Sequence, residues 1–142
     1  MVDTTGSDEL HEELVINASM STAWQALVDG ERRRQWWSNL EIDPVVGGQF
    51  TERWVGPDGA EVLTKGLVMD VVPARLLRLR WADENWPAQT EVEIRLAPSD
   101  RGTIVQIRHA GWRLLPDGQH LAEEHRVGWR LHLSNLRAHL EQ

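Results

Sequence analysis

Cysteine is absent from the 142 residues, which excludes disulfides, thiolate metal sites and a cysteine nucleophile. Tyrosine is absent as well, phenylalanine occurs once, and Lys65 is the only lysine among 15 basic residues. No apolar run approaches the length that crosses a bilayer. Residues 1–9 are polar and acidic, with neither the basic n-region nor the apolar stretch of a secretory signal. A cytoplasmic chain without membrane insertion is the expectation. Positive charge is in short supply: the formal net charge is −7. That disfavours nucleic acid, whose phosphates need clustered Lys and Arg. Arg32, Arg33 and Arg34 form the one basic run, and it reads as a solvated helix face. No phosphate-cradling glycine loop with its Lys and no G-x-S-x-G elbow occurs.

Tryptophan is what the chain has in excess, with eight. Each indole carries a large apolar body and one donor. Eight exceed what one small core ordinarily uses, so two or three are expected to line a pocket. The length fits a single domain, and such a chain buries roughly 70% of its unfolded surface without a metal or disulfide. We expect a disordered or frayed tail over 1–9 and one domain over 10–142.

The pattern along that domain is regular. Residues 10–17 read as a strand. Ser19 is a good N-cap for a helix through Leu27, and Asp29-Gly30 breaks it before a second short helix over 31–37. Turn signals follow at 46–48, 56–59, 72–75 and 98–102. Between them lie strand-like runs at 40–44, 49–55, 60–72, 75–82, 90–97 and 103–112. Leu77, Leu79 and Trp81 alternate with Arg78 and Arg80, and Val92, Ile94 and Leu96 alternate with charged residues, so each strand has one buried face. Asp117 is expected to cap a long helix ending near Leu140. On it, Leu121, His125, Trp129, Leu133, Leu136 and Leu140 form one apolar stripe. Short links between successive strands imply an antiparallel meander. The fold class is therefore α+β, with a curved antiparallel sheet of six to seven strands wrapped around one long C-terminal helix. A twisted sheet of this size curls, and a curled sheet over a single rod leaves a volume suited to a ligand.

Several stretches in this order carry a resemblance. They are 23–27 with Asp29, Trp36-Trp37, 46–50, 56–59, Pro73, 77–81, 103–112, and Gly128-Trp129 with Leu133 and Leu136. The chain resembles the START-type helix-grip (SRPBCC) superfamily, in the group similar to the C-terminal domain of the heat-shock protein 90 ATPase activator. The resemblance implies a cavity between sheet and long helix, used across the superfamily for lipids, sterols, polyketides or other apolar molecules. It also implies a chaperone as a second kind of partner, against which stands the expectation that the chain lacks the activator's additional N-terminal domain. It implies no shared catalytic set and no cofactor.

Individual residues sharpen the expectation. Glu52 lies between Phe50 and Trp54 at period two, so all three share a face, and a carboxylate there would orient a ligand or act as a base with a raised pKa. The competing reading is a Glu52 that reaches water or pairs with arginine. His109 follows Val105 and Ile107 at the same period, as a cavity contact or as a hydrogen-bonded core residue. His125, His132 and His139 recur at seven. A rise of about 10.5 Å between them is too long for two to share a metal, so no metal is expected. Gly128 sits mid-helix at a cost of about 1 kcal/mol against Ala, which close approach of sheet or ligand would offset. Trp86, in a polar loop, is a candidate cover for the pocket mouth. The candidate cavity set is Trp24, Trp37, Phe50, Glu52, Trp54, Leu79, Trp81, Ile94, Ile107, His109, His125, Gly128, Trp129 and His132.

The function expected from this set is binding of a small apolar or aromatic molecule, by a monomer or homodimer, with no assigned reaction. A co-chaperone-like interaction domain is the first alternative. A cyclase or hydrolase using Glu52 or His109 is the second.

Overall fold

The computed structural model describes residues 8–142; residues 1–7, most of the expected tail, lie outside them. Its elements in chain order are β1 (Glu9–Ile16), α1 (Met20–Val28), α2 (Gly30–Arg33), β2 (Leu40–Ile42), β3 (Gln49–Val55), β4 (Glu61–Val72), β5 (Leu76–Asp83), β6 (Thr90–Ser99), β7 (Gly102–Ala110), a 3-10 turn (Trp112–Leu114) and α3 (Gly118–Leu140). Seven strands form one antiparallel sheet in the order β1-β7-β6-β5-β4-β3-β2, with α3 packed against its inner face. This is the helix-grip architecture. Glu9, expected in the tail, already pairs with Ala110.

Register explains the core. Val68, Leu79, Val92, His109 and Leu10 are successive cross-strand partners, and all five are buried. A neighbouring row runs Ile42, Phe50, Gly66, Trp81 and Thr90. Side chains of period two thus stack into rows beneath α3. From the helix come Trp129, Leu133 and Leu136, each buried.

Local chemistry sets the ends of the elements. The Ser19 hydroxyl accepts from Thr22 N at 3.1 Å and caps α1. Asp117 occupies the N-cap position of α3, but its side chain makes no capping hydrogen bond. The expected helix over 31–37 is a single turn, Gly30–Arg33. Arg33 corrects the solvated reading of the basic run: it is 2% exposed and donates to the carbonyls of Leu27 at 3.2 Å and Leu40 at 3.3 Å. It satisfies acceptors left open at the end of α1 and ties them to β2. The last strand stops at Ala110, because Gly111 takes a left-handed φ of 103° into the 3-10 turn. Among the described residues no helix is long and apolar enough to cross a membrane.

Candidate functional site

Three polar residues interrupt the apolar inner face. Glu52 pairs with Thr64, and Thr64 with Asp83, across β3, β4 and β5. All three are buried. The Thr64 hydroxyl donates to Asp83 Oδ1 at 2.5 Å and accepts from Trp54 Nε1 at 2.9 Å. Trp37 Nε1 donates to Glu52 Oε2 at 2.7 Å. Burial costs a carboxylate its hydration. It pushes the Glu52 carboxyl up to about 7, against the pull of the Trp37 hydrogen bond and aided by the nearby Asp83 charge. Burial also raises the Asp83 carboxyl above the usual range.

The central stretch of α3, between Glu124 and Asn135, faces this row. The His132 ring stacks on Trp37, with centroids 4.0 Å apart, and its Nε2 lies 3.6 Å from Glu52 Oε2, beyond an ordinary hydrogen bond. Burial pulls the His132 imidazole down to about 4, so it is neutral at pH 7. Its Nδ1 and the Trp81 Nε1 are buried without a hydrogen-bond partner. About two turns toward the helix start, His125 Nδ1 donates to Leu121 O at 2.8 Å, and burial lowers its pKa too.

Between row and helix lies an open groove of about 820 Å³. Trp36, Trp37, Trp54, Trp81 and Trp129 line it, with Glu52 and His132 at its floor. Val55, Val127 and Leu131 sit on its rim at 58–69% exposure. By contrast, the space under the middle of α3, among Ile94, Ile107, Trp129 and Leu133, is only about 20 Å³. The expected enclosed cavity is thus an open groove along one side of α3, because side chains fill the centre.

This geometry sorts the expected residues. Trp37, Glu52, Trp54, Trp81, His125, Gly128, Trp129 and His132 line the groove. Trp24, Phe50, Leu79, Ile94, Ile107 and His109 do not; they are core side chains. His109 is fully buried, and its ring is committed on both sides. Trp129 Nε1 donates to Nδ1 at 3.1 Å, so Nε2 carries the proton and donates to Thr90 Oγ1 at 2.7 Å. Thr90 in turn donates to Trp81 O at 2.7 Å. This closed chain has no free acceptor, and burial holds His109 well below its ordinary pKa. Trp86 packs on Trp112 and His125 rather than over the groove. Gly128 faces open space: a Cβ there would meet nothing within 4 Å. Close approach of the sheet, expected as its compensation, is absent.

Thr64 and Asp83 were not among the expected residues. Asp83 continues the 77, 79, 81 alternation by one more step, and Thr64 is in phase with Gly66 and Val68; the signal was present. Among the described residues no group of three His, Asp or Glu is placed to hold a metal ion.

Residues 17–141 match the model of a family described as activator of Hsp90 ATPase homolog 1-like protein. No curated protein matches the chain. Protein MLL2253 from Mesorhizobium loti superposes with a TM-score of 0.77 at 22% identity, over 94% of this chain and 96% of that one. Protein CV1439 from Chromobacterium violaceum gives 0.77 at 21%, over 95% and 99%. CalU16 from Micromonospora echinospora gives 0.72 at 24%, over 93% and 74%. At these identities the likeness is one of fold.

Proposed function

This chain belongs to the activator of Hsp90 ATPase homolog 1-like family, and from that premise we propose that it binds a small apolar or aromatic molecule in the groove beside α3, with no assigned reaction. One observation carries the reading: five of the eight tryptophans line a single groove of about 820 Å³. A site of this size accommodates a compact organic molecule. Exposed Val55, Val127 and Leu131 on its rim add apolar surface that water leaves at a gain. Glu52 and His132 supply the few polar contacts that orient a ligand.

Gly128 provides the test, because its missing side chain leaves the groove open. Titration with the neutral probe N-phenyl-1-naphthylamine, read as probe emission and tryptophan quenching, is expected to saturate. Gly128→Leu is expected to weaken binding about tenfold or more while the melting curve stays cooperative. Equal binding by that variant, or no binding by the unaltered chain, overturns the groove.

A second reading, a co-chaperone-like interaction domain, is favoured by the family match over residues 17–141. Stimulation of a chaperone's ATPase by the pure protein, retained in Gly128→Leu, would support it over small-molecule binding. We do not propose His109 as a catalytic base, since both of its ring nitrogens are engaged in the core.

A further inference from the structure

The charge of the groove is one-sided. Glu52 and Glu124 line it, and Asp83 stands behind Thr64. The chain has 15 Lys and Arg residues, yet none lines the groove among the described residues. Its two imidazoles, His125 and His132, are both held toward the neutral form by burial. An anionic ligand would face carboxyl groups with nothing to neutralise it. The walls point the same way. Indole presents a negative π-face that attracts cations, and Trp does so better than Tyr or Phe. Trp129 is in contact with both Trp37 and Trp81, with Trp37 to Trp129 centroids at 5.8 Å and Trp81 to Trp129 at 5.3 Å. They form one aromatic wall beside the Glu52 carboxyl.

Two buried atoms in this wall lack partners: Trp81 Nε1, on a ring only 3% exposed, and His132 Nδ1. Buried polar atoms of a native fold are ordinarily hydrogen-bonded. A hydroxyl or carbonyl oxygen on a bound molecule would satisfy the Trp81 N–H.

We propose that the groove selects an organic cation, an amine or quaternary ammonium on an apolar or aromatic body, with Glu52 as its counter-charge and the indoles of Trp37, Trp54, Trp81 and Trp129 as its walls. The inference rests on the groove reading above and adds the charge of the ligand. An arriving ammonium restores the ionised form of Glu52, so binding is coupled to loss of that proton. The groups facing Glu52 are Trp37 from the loop after α2, Thr64 from β4, Asp83 from β5, and His125, His132 and Glu124 from α3.

The test uses two probes of one shape, phenyltrimethylammonium and its neutral analogue tert-butylbenzene, with benzoate as the aromatic anion. Tryptophan quenching is expected to give the cation an affinity about tenfold above the neutral probe, with benzoate weakest. The cation's affinity should rise as pH goes from about 5 to about 7.5, by up to about tenfold per unit at the low end, and Glu52→Gln should abolish both the preference and the rise. Equal affinity for cation and neutral probe overturns charge selection and leaves the groove standing. Binding of neither, or unchanged binding in Gly128→Leu, overturns both. If Glu52→Gln does not fold, the pH profile of the unaltered protein decides: a flat profile for the cation refutes the inference.

Discussion

In the unfolded chain the Glu52 carboxyl has an ordinary pKa near 4.5, whereas in the fold it is pushed up to about 7. Between those values the native state holds a proton that the unfolded state releases, so stability falls as pH rises through that window. Glu52→Gln keeps an acceptor for Trp37 and removes the charge. Urea unfolding is expected to find the variant about 2–3 kcal/mol more stable than the parent at pH 8, and nearly equal to it at pH 4.5. A gap that is the same at both pH values would mean that Glu52 does not titrate in that range. Such a cost, retained at the groove floor, is what a binding group exacts from its fold. The inward placement of Glu52 was legible from period two alone. The opposite fates of Glu52 and His109 were not. Both point inward, but only the register, which sets Thr90 and Trp129 around His109, shows that one is sealed and the other borders open space.

Two glycines distinguish elements that touch from elements that do not. At Gly66, in the middle of β4, an added Cβ would lie 1.8 Å from the Arg80 carbonyl oxygen of β5 and 2.8 Å from the Phe50 ring. At Gly128 it would meet nothing within 4 Å. Gly66→Ala is therefore expected to cost about 2–4 kcal/mol by prising β4 from β5. Gly128→Ala should gain about 0.5–1 kcal/mol from helix propensity, raising the melting temperature by a few degrees. Thermal melts of the two variants must move in opposite directions. The strands and both longer helices were readable, because alternation, turn residues and the stripe from Leu121 to Leu140 are local signals. Gly66 carried no such signal: nothing in its own strand says that an aromatic ring and a neighbouring backbone converge there. Likewise Arg33 belonged to a charge run, and only the meeting of α1 with β2 gave its guanidinium the carbonyls of Leu27, Val28 and Leu40 to hold.

Across the whole molecule the buried titratable groups oppose one another. Burial lowers the pKa of His109, His125 and His132 below their ordinary value of 6.5, and raises that of Glu52 and of Asp83 above the ordinary carboxylate range. For a lowered imidazole the stability is complete above 6.5 and is lost as pH falls; for a raised carboxyl it is complete below the ordinary value, 4.5 for Glu52 and 3.8 for Asp83, and is lost as pH rises. Between about 4.5 and 6.5 the unfolded chain takes up protons on three histidines whose pKa the fold lowers, while the native state keeps the Glu52 proton that the unfolded chain releases. With three lowered imidazoles set against the raised carboxyls, stability is expected to climb with pH there. Above 6.5 the histidine difference vanishes and the carboxyl loss alone remains. The urea midpoint is thus expected to peak near pH 6.5, drop on the acid side, and decline more gently until about 7 and slightly beyond. In Glu52→Gln one opposing carboxyl is gone, so the acid-side climb should steepen and the alkaline decline should shrink. A midpoint independent of pH from 4.5 to 8 would mean that these five groups are as well solvated in the fold as in the open chain, and the polar row beneath α3 would then be no buried site.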